Sequence, residues 1–130
     1  MKKKIAVIIV AIVLCVAAAV FAVPKISFYA CEPTVYFDVE DCDKVDAKMS
    51  AEDAETVKKM FEGKSEYFDS PSCGFSEKAS IRIGCNTYMP ACDGDEIIKH
   101  GFMYFRLSKS ENNELRKIMK KYGADIRKAI

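Results

Sequence analysis

The apolar run from Ile5 to Val23 limits what this chain can fold into more than any other feature. It holds no charged residue, follows three lysines at positions 2–4, and ends before Pro24 and Lys25. An α-helix over this run is roughly 28 Å long, close to the hydrocarbon thickness of a bilayer. Valine and isoleucine occupy every face of that helix, which disfavours the core helix of a soluble protein. The run therefore predicts a segment that can span a membrane.

Two interpretations of this segment differ in whether the mature protein keeps it. A cleaved signal peptide needs small residues before the cut, and residues 17–19 or the pair Val20 and Ala22 provide them. An uncleaved anchor is favoured because the run exceeds the usual apolar core of a signal peptide, about 7 to 15 residues. Basic residues stay on the cytoplasmic side, so the chain from Lys25 onward is expected outside. We predict a single-pass protein of the cell membrane with its C-terminal domain outside, or, as the alternative, a secreted domain after cleavage.

The rest of the chain is long enough for one small domain. We divide the sequence into a membrane anchor or signal peptide at residues 1–24, a linker at 25–33, a single extracytoplasmic α+β domain at 34–123 and a tail at 124–130. The chain has 20 basic and 19 acidic residues and a net charge of +1. Nucleic-acid-binding domains are usually strongly basic, so no nucleic-acid partner is expected.

Hydrophobic periodicity predicts the elements of this domain. Capping-box patterns begin two amphipathic helices, one over Ala51–Glu62 and one from Ser108 to about Gly123. Strand patterns lie at Thr34–Val39, Tyr67–Phe68, Ser80–Gly84 and Tyr88–Cys92, with a hairpin over Glu96–Leu107 and an acidic loop at Glu40–Asp46. Pro90 indicates an edge strand or a bulge. The predicted fold is α+β, with the N-terminal helix followed by a small antiparallel sheet of four to five strands and two helices packed on one face.

Five of the six cysteines lie outside the apolar run, at Cys31, Cys42, Cys73, Cys85 and Cys92. Disulfides are permitted outside the cytoplasm, and an odd number leaves at least one thiol free or bonded to another molecule. Cys31 and Cys42 flank a predicted strand whose ends are roughly 17 Å apart, whereas a disulfide needs Cα atoms within about 7 Å. Cys73 lies in a loop that can reach the end of the sheet. We therefore predict a disulfide between Cys73 and Cys92.

Catalytic and metal-binding interpretations of these residues are weaker. A zinc site could draw its four ligands from Cys73, Cys85, Cys92 and His100, but their spacing lacks the close pairs of structural zinc sites. No Cys-x-x-Cys motif indicates a reactive redox thiol. His100, the one histidine, precedes Gly101 in a predicted turn, where we expect it to be exposed. We predict neither an enzyme nor a bound cofactor.

Three short motifs resemble small exported bacterial proteins that have no assigned activity. They are the Pro-Ser-Cys-Gly-Phe loop at Pro71–Ser76, the Cys-Asp-Gly turn at Ala91–Gly94 and the helix end at Lys121–Gly123. The resemblance covers residues 50–123 and implies a compact secreted or membrane-anchored domain, to which no catalytic residues transfer. Those proteins tend to carry further cysteines at the positions of Met89 and Asp95.

These observations predict a non-catalytic interaction or accessory domain outside the membrane. Residues 5–23 would hold it to the bilayer, and its partner would be a protein or an envelope component. The alternative function is that of a cysteine-dependent redox or metal-binding envelope protein. The state of Cys73, Cys85 and Cys92 separates the two, because a reactive thiol or a bound metal would favour the second.

Overall fold

Helix α1, Lys2–Ala30, contains the whole apolar run in the computed structural model, which describes residues 1–129. The helix is long and apolar enough to cross a membrane, and none of its most apolar window is buried in the protein. It does not end at Pro24 but continues through residues 25–30, which the sequence analysis assigns to a linker. These residues stay helical because they pack on the sheet, where Phe28 is buried. Most of the predicted linker, residues 25–30 of 25–33, is therefore the last part of α1.

Six strands form one antiparallel sheet in the order β2-β1-β3-β4-β5-β6. They are β1 Thr34–Phe37, β2 Val45–Lys48, β3 Ala79–Ile83, β4 Asn86–Pro90, β5 Ile97–His100 and β6 Met103–Arg106. Strands β3 to β6 make a meander, in which each strand pairs with the one before it. The α+β class is confirmed, whereas the prediction of four to five strands is wrong because the sheet has six.

The additional strand is β2, which overlaps the end of the predicted acidic loop. Its burial alternates, with Val45 and Ala47 half-buried and Asp46 and Lys48 exposed. Charged side chains on the outer strand of a sheet are typical, because they discourage pairing with other chains. The same charges conceal the strand in the sequence. Strand β2 is recognised only from its pairing with β1 in the structure, in which Ala47 lies opposite Val35.

Two strand predictions change in detail. The strand containing Pro90 lies inside the sheet, between β3 and β5, and not at an edge. Pro90 is its last residue, so the missing N–H falls where the strand ends. The predicted strand at Tyr67–Phe68 is reduced to one bridge, in which Tyr67 and Tyr104 exchange backbone hydrogen bonds of 2.8 and 2.9 Å. This bridge covers part of the edge strand β6.

Two amphipathic helices complete the core, α2 at Ala51–Phe61 and α3 at Lys109–Lys121. Both begin as predicted, since the Ser50 hydroxyl accepts from the Asp53 N–H, and Ser108 and Glu111 form a reciprocal capping box. The buried side chains of both helices share one core cluster with residues of a single sheet face. From that face come Val35, Ile81 and Tyr88, which lie side by side on β1, β3 and β4.

Part of the segment after α3 belongs to the core, although the sequence predicts a tail at residues 124–130, of which residue 130 lies outside the described residues. Gly123 has φ +97, a conformation that favours glycine, and it turns the chain back toward the domain. Ala124 and Ile126 are buried, and a 3₁₀ helix covers Ile126–Ala129. The segment is short and carries charges, so its apolar contacts depend on the turn that precedes it.

Candidate functional site

A cavity of about 960 Å³ opens where α1 meets the domain. Its walls are one face of α1, the end of α2 with the loop that follows, strand β4 and the turn between β5 and β6. The residues from α1 are Val20, Phe21, Pro24, Lys25, Phe28 and Tyr29. Their spacing of three and four residues places them on one face of the helix. The volume lies at the upper end of the range of ligand sites, about 300 to 1,000 Å³.

The last part of α1 is fixed to the sheet at the turn between β3 and β4. The Cys85 N–H donates to the Ser27 hydroxyl oxygen at 2.8 Å, and the Asn86 side-chain amide donates to the Pro24 carbonyl at 2.8 Å. Gly84, with φ +60, allows the close approach, because a Cβ atom there would lie 1.7 Å from the Ser27 hydroxyl oxygen. The Phe28 ring also meets the Tyr88 ring edge-on, with 6.3 Å between centroids. The last part of α1 and the domain therefore pack together.

A polar network around His100 forms another wall of the cavity. Its Nδ1 contacts the Glu66 carboxylate, and its Nε2 lies 2.8 Å from the Asn86 side-chain oxygen. The imidazole stacks on the Tyr88 ring at 4.4 Å between centroids, and its side chain is only 22% exposed. The prediction of an exposed His100 is therefore wrong. The loop after α2 pairs with β6 at Tyr67 and places Glu66 against the ring.

This network links four parts of the fold and engages both nitrogens of the imidazole. The Asn86 amide nitrogen donates to the carbonyls of Pro24 and Ile83, so its oxygen faces His100. Both imidazole nitrogens therefore lie against side-chain oxygen atoms. A general base needs a nitrogen within reach of the proton that it removes, and here both positions are occupied. The arrangement suits a structural link between α1 and the sheet better than proton transfer.

The predicted disulfide residues lie in adjacent segments. The Cys92 N–H donates to the Gly74 carbonyl at 2.8 Å, which joins the Cys73 loop to the end of β4. All six cysteines fall within residues 1–129, and each carries a free thiol in the structure. The Cys73 thiol donates to the Asp95 carboxylate at 3.3 Å, while Cys92 is 2% exposed. The disulfide between Cys73 and Cys92 stays a prediction.

Neither of these thiols is activated. Burial, together with the carboxylates of Asp95 and Asp93, raises the pKa of the Cys73 thiol to about 11. Burial also raises the pKa of Cys92, and the nearby Arg116 guanidinium opposes the shift only in part. The thiolate is the form that attacks a disulfide or binds a metal. Both residues are therefore thiols at neutral pH.

The loop between β4 and β5 is held by α3. The Arg116 guanidinium donates to the carbonyls of Ala91 and Asp95 at 2.6 and 3.0 Å, and to the Asn112 side-chain oxygen at 3.0 Å. Burial lowers the pKa of this guanidinium. These contacts fix the loop that carries Asp95, the acceptor for the Cys73 thiol. The short Cys-Asp-Gly turn is thus positioned by a helix that follows it in the sequence.

The four zinc candidates do not come together. Cys73 lies against Asp95, Cys92 is buried, and Cys85 is exposed at the turn where α1 is fixed. His100 is bonded to Glu66 and Asn86. Within residues 1–129, no three or more histidine, cysteine or acidic side chains are arranged to hold a metal ion.

No family model, curated protein or solved structure matches this chain. The resemblance to small exported bacterial proteins therefore stays a prediction. Two of its motifs do meet in space, because the Cys92 N–H bonds to Gly74 between the Pro71–Ser76 loop and the Ala91–Gly94 turn. The loop and the turn, although separated in sequence, thus form one structural feature.

Two polar residues of the cavity were not predicted from the sequence. Asn86 and Glu66 are single polar residues with no motif around them, whereas Tyr88 is one of three tyrosines that the sequence offers for a binding surface. Only the register of β4 against β5, which places Tyr88 opposite His100, brings them into one network. Gly84 before Cys85 was the one available signal, since a glycine at a turn between strands indicates a positive φ or a close approach of backbone.

Proposed function

We propose that this chain is a single-pass membrane protein whose α+β domain lies outside the membrane and binds a protein or envelope component. The observation that carries the proposal is the continuity of α1. The helix runs unbroken from the apolar run through residues 17–22, where a signal peptidase would cut, into Ala30. Its end is then bonded to the sheet through Pro24 and Ser27. Such an anchor holds the domain in a defined orientation above the bilayer.

The cavity supports a binding role. The hydrogen bonds of His100, which lines the cavity, favour a role without catalysis. The cavity combines aromatic walls with a few charged groups, the usual character of a ligand site. His100 has both nitrogens engaged. A hydrolase would need this histidine to activate a nucleophile.

The alternative, a cysteine-dependent redox or metal-binding protein, has less support. The raised pKa values of Cys73 and Cys92 oppose thiolate chemistry at neutral pH. Cys85, the remaining candidate, is exposed at the turn beside Ser27. A metal site would have to be built by rearranging these residues.

The intact mass of the protein recovered from a membrane fraction tests the anchor. We expect the full-length mass, and a mass lacking residues 1–19 or 1–22 would contradict the proposal.

A membrane-impermeant maleimide on intact cells shows on which side of the membrane the domain lies. We expect labelling of the exposed Cys85, its loss in a Cys85→Ser variant, and no change in Cys92→Ser, whose thiol is buried. Labelling of Cys85 only after lysis would place the domain on the cytoplasmic side.

The same sample tests the alternative. Alkylation before and after reduction shows which outer cysteines are bonded. Disulfide-bonded Cys73 and Cys92 would agree with a structural framework. A thiol that reacts at low pH, or a metal that leaves with a chelator, would favour the redox or metal-binding protein instead.

A further inference from the structure

Between residues 24 and 129 the exposed large hydrophobic side chains are Ile26, Tyr29, Phe68 and Phe102. Tyr29 and Phe102 line the same cavity, and Phe68 stacks on Phe102. The two phenylalanines are 73% and 76% exposed, and their rings stack at 5.8 Å between centroids with an interplanar angle of 10°. Scattered exposed apolar residues need no explanation, but a stacked aromatic pair beside further exposed apolar groups marks an interaction surface.

This surface adjoins the end of the apolar run. Phe102, in the turn between β5 and β6, lines the same cavity as Val20 and Phe21 of α1. Those two residues belong to the last turns of the run, so the turn carrying Phe102 reaches back beside the membrane segment. With α1 in a bilayer, Phe102 and its stacking partner Phe68 lie at the lipid surface. Aromatic side chains are enriched at that depth in membrane proteins.

The cavity behind the aromatic pair changes from apolar to charged along α1. Val20, Phe21 and Phe28 line its apolar part, and Lys25 lies among them on the same helix face. Two lysines of the lining, Lys25 and Lys99, form no ion pair within residues 1–129.

The acidic groups of the lining are engaged in part. The Glu62 carboxylate accepts from the Tyr29 hydroxyl, and the Glu66 carboxylate contacts His100. Lys64 is paired with Glu111, while Glu77 adds one more carboxylate. The free ammonium groups of Lys25 and Lys99 are therefore available to a phosphate, whereas the apolar part accepts a hydrocarbon chain.

We propose that this face binds the bilayer itself: Phe68 and Phe102 insert into the lipid surface beside α1, and the cavity holds one phospholipid, its acyl chain along Phe21 and its phosphate near Lys25 and Lys99. The inference deepens the proposed function, since it depends on α1 remaining in the membrane. It identifies a phospholipid as the envelope component that the domain contacts. The lipid would fix the tilt of the domain relative to its anchor.

Fluorescence in lipid nanodiscs tests the insertion, because the chain has no tryptophan of its own. In the full-length protein, Phe102→Trp introduces a single reporter at the turn. The matched control is Lys120→Trp, at the exposed end of α3 that adjoins the start of α2, far from the cavity. We expect brominated phospholipids to quench the Phe102→Trp variant at least twofold and to leave the Lys120→Trp variant nearly unchanged. Equal and weak quenching of the two variants would overturn the insertion.

Lipid retention tests the cavity. We expect roughly one phospholipid per chain to remain after purification in detergent, as one site of this size allows. The Lys25→Gln/Lys99→Gln variant should lose it, whereas Lys117→Gln/Lys120→Gln, with the same change of charge on an exposed face of α3, should keep it. Quenching of the Phe102→Trp variant without retained phospholipid, or equal retention in both double variants, would overturn the cavity as a lipid site.

Two further measurements distinguish failure of the membrane anchor from failure of the lipid site. Recovery of the protein outside the nanodisc, or a membrane fraction that yields only a shortened chain, would overturn the anchor and not only the lipid site. A second copy of the chain on this face would instead shield the tryptophan of the Phe102→Trp variant from brominated lipid and double the protein content of each nanodisc. That result would overturn the lipid proposal while leaving the anchor intact.

Discussion

At the scale of single residues, Gly84 decides how α1 meets the sheet. Its positive φ and its lack of a side chain let the Ser27 hydroxyl reach the backbone of Cys85. Gly101 has nearly the same φ, +62 against +60, but nothing lies within 4 Å of a Cβ atom built on it. Alanine substitutions at the two glycines therefore distinguish the cost of backbone strain, which both share, from the cost of a steric clash, which only Gly84 has.

We expect Gly84→Ala to destabilise the protein more than Gly101→Ala. Both variants place alanine in the left-handed region, at a cost of about 1 to 2 kcal/mol. Only Gly84→Ala also forces Ser27 away from the turn, which removes the hydrogen bond to Cys85, worth roughly 1 kcal/mol more. Thermal unfolding of the full-length protein in detergent micelles measures the difference. Equal losses of stability would mean that α1 is not fixed at this turn.

At the scale of elements, the start of α2 is tied to the end of α3 by one carboxylate. The Asp53 side chain accepts from Lys121 at 2.9 Å and from the Tyr122 hydroxyl at 2.7 Å. The Tyr122 hydroxyl also accepts from the N–H of Ser50, the residue that caps α2. These hydrogen bonds, first of all the one from Lys121, lower the pKa of Asp53. The contact between the two helices is thus a hydrogen-bond network around a carboxylate, and its stability depends on pH.

The lowered pKa of Asp53 predicts a loss of stability in acid. A carboxyl group with a lowered pKa in the folded state stabilises the protein above its unfolded value, about pH 4, and this contribution disappears as pH falls through the folded value. We expect Asp53→Asn to unfold more easily at pH 7 and to lose less stability between pH 5 and pH 2 than the unchanged protein. Asp43→Asn, an exposed carboxyl with no hydrogen-bond partner in residues 1–129, is the control. Parallel acid profiles for Asp53→Asn and the unchanged protein would contradict this role.

At the scale of the whole molecule, the division between the apolar run and the domain falls inside α1. The helix is exposed along the apolar run, yet Phe28 in its last part is 8% exposed and belongs to the core. A boundary at residue 24 or 25 therefore keeps the core intact, whereas one after Ala30 removes part of it.

Truncated chains test where the domain begins. We expect residues 23–130 to fold and residues 31–130 to be less stable by about 3 to 5 kcal/mol, the cost of losing a buried phenylalanine. Urea unfolding of both chains measures the difference. Phe28→Ala in the longer chain should reproduce most of the loss, which assigns it to the side chain and not to the length of the helix. If both truncated chains were equally stable, residues 25–30 would belong to a linker, as the sequence predicts.

Much of the architecture could be predicted from local patterns. The charge-free run determines a helix that can span a membrane, and the Ser50 and Ser108 caps determine where α2 and α3 begin. Such signals are local, since each depends on residues within a few positions of one another. Strand β2 gave no local signal, because its charged residues conceal a short apolar segment.

The candidate site was decided by the tertiary structure alone. Val20, Glu66, Asn86 and His100 are far apart in the sequence, and each is ordinary in its own segment. Antiparallel pairing of β4 with β5 and the docking of α1 at Gly84 bring them to one cavity. The sequence by itself determined an N-terminal helix long and apolar enough to cross a membrane and a small α+β domain, because hydrophobic length and periodicity are properties of consecutive residues. Only the folded chain decided which residues line the cavity, because that depends on contacts between residues that the sequence keeps apart.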